Sequence, residues 1–214
     1  PMVPIGKKPI LLHIIESYKK YGLRDFYIAL GYKGEVIKKF FIERSKISAV
    51  KAKKIISQKE IELLLSEEEL NITLIDTGED TMTGGRLKRL NKIIGKDSFL
   101  MTYGDGLSNI DINALIKSHK EKKKLVTISA VHPIARFGEL KLNSEGDVIS
   151  FKEKPQLQQG WINGGFFVIE PSFIEFIKDD STILEKEPLE KAADLNELSA
   201  FRHEGFWHCM DTQR

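Results

Sequence analysis

The chain has 214 residues, 41% of them hydrophobic and twelve of them Phe, which suffices for one sizeable core and leads us to expect a single domain over 1–214. Its 33 basic and 31 acidic side chains leave a formal charge of +2; that balance excludes a basic track along DNA or RNA, so any phosphate binding must be local. A single cysteine, Cys209, excludes an intramolecular disulfide and suits a reducing cytoplasm, and no apolar run approaches the roughly 20 residues of a membrane-spanning helix, so neither nucleic acid nor membrane is expected as a partner.

The chain opens on Pro1 rather than an initiator methionine. Ile10, Leu11, Ile14, Ile15 and Tyr18 then recur at helical spacing after Pro9. Phe26 to Leu30 is an apolar run ended by Gly31, the pattern of a buried strand, and Val36 to Phe41 resumes a helical period. From Glu43 to Leu70 the composition shifts to Lys, Glu, Ser and Leu without glycine or proline, which predicts an inserted, mobile helical arm over 43–70. Asn71 to Asp76 returns as a strand, followed by a loop from Thr77 to Gly85 and a basic amphipathic helix carrying Leu87, Leu90 and Ile94.

Ser98 to Tyr103 forms the clearest strand and runs directly into Gly104-Asp105-Gly106, where small residues let the backbone turn beside a carboxylate. A helix from Asp111 to Lys120 and a strand from Leu125 to Val131 complete another βα unit. This rhythm predicts an α/β fold with a mostly parallel sheet flanked by helices. After Pro133 come short extended runs, Glu139 to Leu142, Val148 to Lys152 and Trp161 to Ile169, which suggest a smaller β-rich lobe. Pro171 to Ile177 and Pro188 to Leu195 are the last predicted helices.

Candidate chemistry follows these elements. Asp105 sits at a strand's C-terminal end, where open α/β sheets collect ligands. It and the distant Asp211 are either convergent hard-oxygen ligands for Mg²⁺ or, respectively, a turn aspartate and a helix cap. Thr83-Gly84-Gly85-Arg86 either offers backbone N–H groups to a base or phosphate, or is a flexible helix entrance. In Glu153-Lys154-Pro155, Lys154 suits a sugar phosphate and Glu153 sugar hydroxyls, unless both form an exposed ion pair. Asn163-Gly164-Gly165 suits a polyol or builds a β-bulge, and Gly138 either presents its backbone to a sugar or begins a strand. The histidines show no paired spacing, which argues against zinc, and neither G-x-S-x-G nor G-x-G-x-x-G occurs.

Taken in order, the opening Pro1 to Ile10, Asp76-Thr77-Gly78, Met82-Thr83-Gly84-Gly85-Arg86-Leu87, Tyr103-Gly104-Asp105-Gly106, Phe151-Lys152-Glu153-Lys154-Pro155, Ile162-Asn163-Gly164-Gly165-Phe166-Phe167 and Met210-Asp211-Thr212 closely resemble the glucose-1-phosphate cytidylyltransferase family of sugar-nucleotide nucleotidyltransferases. The resemblance implies a Rossmann-like nucleotidyltransferase fold with a β-rich sugar-binding lobe, and synthesis of CDP-glucose from CTP and glucose-1-phosphate for dideoxysugars of surface polysaccharide. It implies that Asp105 and Asp211 hold Mg²⁺, that Lys154 meets the sugar phosphate, and that Glu153 and Asn163 meet glucose. Thr83 to Arg86 would contact the nucleotide, with Tyr103 and Gly104 flanking the metal.

Members of that family open with a strand and a glycine-rich Gly-Thr-Arg loop, then a lysine, and continue past Asp211-Thr212 into a C-terminal tail. These residues contain neither end. The expectation is therefore a chain cut at both ends, inactive alone, with open sheet edges where the first strand would lie, and an active, homo-oligomeric parent. Thymidylyl or uridylyl transfer on the same scaffold, and a catalytically inactive sugar-phosphate or nucleotide binder, are the alternative readings.

Overall fold

Two apolar stripes on the first helix set the layout. The computed structural model describes residues 1–47, 53–57, 60–65, 70–133, 139–152 and 160–210. A short antiparallel pair, β1 (Pro4–Ile5) and β2 (Lys8–Pro9), leads into α1 (Ile10–Lys19). Leu11 and Ile15, four apart, pack into one buried cluster with Leu30, Ile37, Phe41, Leu70, Ile72 and Leu74. Ile10, Ile14 and Tyr18, on the neighbouring stripe, join another with Ile110, Ile112, Leu115, Phe166 and Val168. One helix thus joins two cores, because side chains at i and i+4 share a face.

The first core backs a sheet of β3 (Asp25–Leu30), β4 (Lys53–Ser57), β5 (Glu60–Leu65) and β6 (Leu70–Asp76), in the order β3-β6-β5-β4, with α2 (Gly34–Ile47) following β3 in the chain. The helical arm expected over 43–70 is corrected here: α2 runs on to Ile47, and β4 and β5 follow as antiparallel strands. Lys, Glu and Leu favour helix only weakly, and a strand partner overrides that preference. Ile61, Leu63 and Leu65 recur with the period of two that a strand needs, and β6 supplies the partner, from Glu60↔Ile75 to Leu65↔Leu70.

The second sheet follows from α3 (Thr83–Ile94), β7 (Phe99–Thr102), β8 (Gly106–Ser108), α4 (Ile112–Lys122) and β9 (Val126–Val131). A hairpin of β10 (Glu139–Leu142) and β11 (Val148–Lys152) forms its own two-stranded sheet. Then come β12 (Ile162–Ile169), a 3₁₀ turn (Pro171–Phe176), α5 (Glu187–Asp194), β13 (Leu198–His203) and β14 (Trp207–Cys209). The order is β13-β9-β12-β7, while β14 pairs with β8 apart from it.

The α/β class stands, but the sheets are mixed rather than mostly parallel in their bonding. Among the described pairs, β3·β6 and β13·β9 are parallel and the rest antiparallel. The cause is local: β7, β9 and β13 share a direction, as βα repeats require, and β12 enters between β7 and β9 after a hairpin rather than a helix, so it runs against both. Residues Gly164 to Ile169 of β12 are buried. Phe166 and Val168 face the α1 side, whereas Phe167 and Ile169 meet Leu87, Phe173, Leu184 and Leu189. Helical layers therefore cover both faces. No described helix is long and apolar enough to cross a membrane.

Candidate active site

Four stretches converge beyond the end of β7. That strand closes at Thr102 opposite Phe166, and Tyr103-Gly104-Asp105 continues past the sheet. The Asp105 carboxylate is half-buried and makes no hydrogen bond or ion pair among the described residues. Its backbone, by contrast, is occupied. β14 lies antiparallel to β8 with Cys209 opposite Gly106, and the Met210 N–H donates to the Asp105 carbonyl at 2.8 Å. The chain is thus delivered to Asp105 one residue before Asp211. Asp211 itself, with Gly138, Glu153 and Lys154, lies outside the described residues.

Across from Tyr103 stands the Asn163-Gly164-Gly165 segment, and here the bulge reading is the one observed. Between Asn163↔Ala130 and Phe167↔Ile128, β12 carries more residues than β9, and the spare Phe166 N–H donates to Ser129 Oγ at 3.1 Å. Gly165 takes φ +78°, and a Cβ there would lie 2.6 Å from the Tyr103 ring, so glycine is required for the bulge to close on the tyrosine. The Gly164 carbonyl accepts from Trp207 Nε1 at 2.7 Å, which pins β14 to the bulge. The Asn163 amide is oriented: Oδ1 accepts from Gly165 N at 2.7 Å, and Nδ2 donates to the Tyr103 hydroxyl at 3.2 Å.

Tyr103 also donates its hydroxyl to Glu185 Oε1, and its ring meets Phe167 edge-on with centroids 5.5 Å apart. Burial, foremost, and the Glu185 carboxylate raise its pKa well above the usual phenol value, so the phenol stays protonated. The other carboxylate oxygen, Oε2, accepts from Thr83 Oγ1 at 2.8 Å, and Thr83 Oγ1 in turn accepts from Leu184 N at 2.9 Å. Glu185 joins Tyr103 to Thr83, and sequence reasoning missed it. It sits in a run of charged residues before Pro188, where nothing but the fold reveals its partners.

The other residues of the Thr83 to Arg86 turn are engaged by the protein itself. Gly84 and Gly85 both donate their N–H to the Thr182 carbonyl, at 3.0 and 3.3 Å. A Cβ on Gly85 would lie 2.5 Å from Asp180 Cα, so close passage of the 180–182 backbone already demands a glycine there. Arg86 turns away from Asp105's neighbours to the ends of β3 and β6. Its Nη1 donates to Leu30 O at 3.1 Å, Thr77 Oγ1 at 2.8 Å and Gly78 O at 2.8 Å, and Nη2 donates to Glu79 O at 3.1 Å. The Asp76-Thr77-Gly78 motif is thus the receptor for this guanidinium. Beside it, Arg89 grips both Asp180 oxygens at 2.8 and 2.6 Å and donates to Thr77 O at 2.9 Å, which holds the Asp180 carboxyl below its ordinary range.

No group of three or more His, Cys, Asp or Glu residues arranged to hold a metal ion occurs among the described residues. The donor at hand nonetheless fits a hard divalent cation: Asp105 offers carboxylate oxygens engaged by no described cation, at a strand end.

Residues 1–208 match the family described as nucleotidyl transferase. The glucose-1-phosphate cytidylyltransferases of Salmonella typhimurium and Salmonella typhi are each 44% identical over 225 residues, a span covering 100% of this chain and 83% of the relative. In fold, the chain is similar to the crystal structure of HddC from Yersinia pseudotuberculosis, with a TM-score of 0.68 at 24% identity, covering 98% of this chain and 83% of that one. The ordered motifs, the mixed α/β sheets and a match running nearly end to end agree, and the chain belongs to the nucleotidyl transferase family.

Proposed function

We propose that the protein transfers a cytidylyl group from CTP to glucose-1-phosphate, releasing pyrophosphate and giving CDP-glucose, a cytoplasmic precursor of surface-polysaccharide dideoxysugars. The sequence relatives that cover the whole chain carry this activity in their names. A phosphate oxygen of glucose-1-phosphate attacks the α-phosphorus in line as pyrophosphate departs, so no side chain need act as nucleophile. Asp105 and Asp211 hold a divalent cation, Mg²⁺ in this reading. Bound there, such an ion supplies charge stabilisation on the phosphates.

The protein's own groups do the placing. Lys154 neutralises the sugar phosphate, Glu153 and Asn163 hold glucose hydroxyls, and Gly138 and Gly164 let the sugar approach the backbone. Thr83 to Arg86 form the nucleotide's side of the site, with Gly84, Gly85 and Arg86 fixing that turn against its neighbours, and Tyr103 and Gly104 flank the ion. The observation that supports this reading is the Met210 to Asp105 backbone bond, which brings the chain to the end of β7, where Asn163 bonds Tyr103.

The test is pyrophosphate release by the full-length protein with glucose-1-phosphate and each of four NTPs. CTP is expected to be preferred, and Asp105→Asn to cost roughly 100-fold or more in turnover, the scale of losing transition-state charge stabilisation. Wild-type rates from Asp105→Asn would overturn the metal assignment, and a preference for dTTP or UTP would overturn the base assignment.

A further inference from the structure

Tyr103, Thr83 and Asn163 come from three separate elements and are linked by one carboxylate that the reaction as described does not use. We propose that Glu185 is a positioning residue for transfer, its charge fixing the direction of a hydrogen-bond chain that orients the Asn163 amide toward the sugar. The proposal rests on the transfer reading and deepens it.

A carboxylate accepts and cannot donate, so both hydroxyls that reach it must give up their single proton to it. Tyr103 gives its proton to Oε1 and Thr83 its proton to Oε2. With that proton spent, the Tyr103 oxygen can only accept, and it accepts from Asn163 Nδ2. The Thr83 oxygen likewise accepts, from Leu184 N. The amide is then locked at both ends, since Oδ1 is held by Gly165 N. An amide NH₂ carries two hydrogens, and the second is left for a sugar hydroxyl. Without the negative charge, Tyr103 would be at liberty to turn its proton away from Glu185, and the Gly165 N–H alone would be left to hold the amide. The chain is stiff because its middle member is clamped between Phe167 and Gly165. The two oxygens of Glu185 also tie the helix start at Thr83, on the nucleotide side, to Tyr103, beside Asp105.

Glu185→Gln keeps the shape and removes the charge. In the full-length protein it is expected to raise KM for glucose-1-phosphate about tenfold, the scale of one hydrogen bond to a charged group, and Glu185→Asp to recover part of that loss. Tyr103→Phe should match the sugar-phosphate effect, and the double variant should be no worse than either single one, because both cut the same chain. A second readout is independent of turnover: in urea denaturation Glu185→Gln and Tyr103→Phe should each lower the midpoint, and the loss in the double variant should fall short of the sum of the two. Additive KM effects, or an unchanged sugar-phosphate KM in a folded Glu185→Gln protein, would overturn the proposal. Absence of turnover with every NTP would sink the transfer reading instead, and the denaturation cycle would still report on the Glu185 to Tyr103 link.

Discussion

Arg86 shows how far a residue's chemistry depends on what the fold places around it. On sequence it belongs to a glycine-flanked turn and reads as a phosphate or base contact; in the structure its guanidinium satisfies four acceptors at the ends of β3 and β6. Arg86→Ala is therefore expected to lower stability by roughly 2 kcal/mol, the range for hydrogen bonds involving a charged group whose partners are then left unmet. Arg86→Lys should rescue little, because an ammonium cannot reproduce the planar fork. Urea denaturation checks this: an unchanged midpoint in Arg86→Ala, with nucleotide KM alone affected, would return the residue to the ligand. Asp105 and Asn163 could be singled out by position, a carboxylate at a strand end and an amide before paired glycines, and the structure bonds Asn163 to Tyr103, two residues before Asp105. Glu185 could not be, since a carboxylate among charged neighbours acquires its partners only when three distant segments meet.

At the scale of elements, the start of α3 is a packing joint. Gly84 and Gly85 are buried where the 180–182 backbone crosses the helix, and the obstacle facing a Cβ at Gly85 is main chain, which cannot swing aside. Gly85→Ala is expected to destabilise the protein by about 1–3 kcal/mol, as overpacking does, and to shift thermal unfolding visibly. A Gly85→Ala protein that melts like wild type but loses nucleotide affinity would mean the glycine serves the ligand. Most helices and strands were legible from period and punctuation. The segment over 43–70 was misread because its composition favours helix while its pairing partner, β6, lies outside the window that composition samples. β13 went unread for a related reason: Leu198 to His203 is half polar, and its strand identity comes from parallel pairing with β9, a partner about seventy residues away in sequence.

Across the whole molecule, the site exists because chain ends and middle are tied together. α1 joins two cores, β12 enters antiparallel to carry its bulge to the end of β7, and β14 returns to β8 with Trp207 bonded to that bulge. Motif order made the family readable, yet order alone could not say which motifs touch. The structure joins Tyr103, Thr83 and Asn163 around Glu185, two residues of chain from Asp105, and sends Arg86 elsewhere. The claim on which the account turns is that Asp105 and Asp211 serve one divalent ion. Electron paramagnetic resonance of Mn²⁺ binding to the full-length protein, with CTP present, addresses it directly. Asp105→Asn and Asp211→Asn are each expected to weaken the site strongly, with the loss in the double variant falling short of the sum of the two single losses. Retention of full Mn²⁺ affinity by either single variant, or independent additive losses, would contradict it.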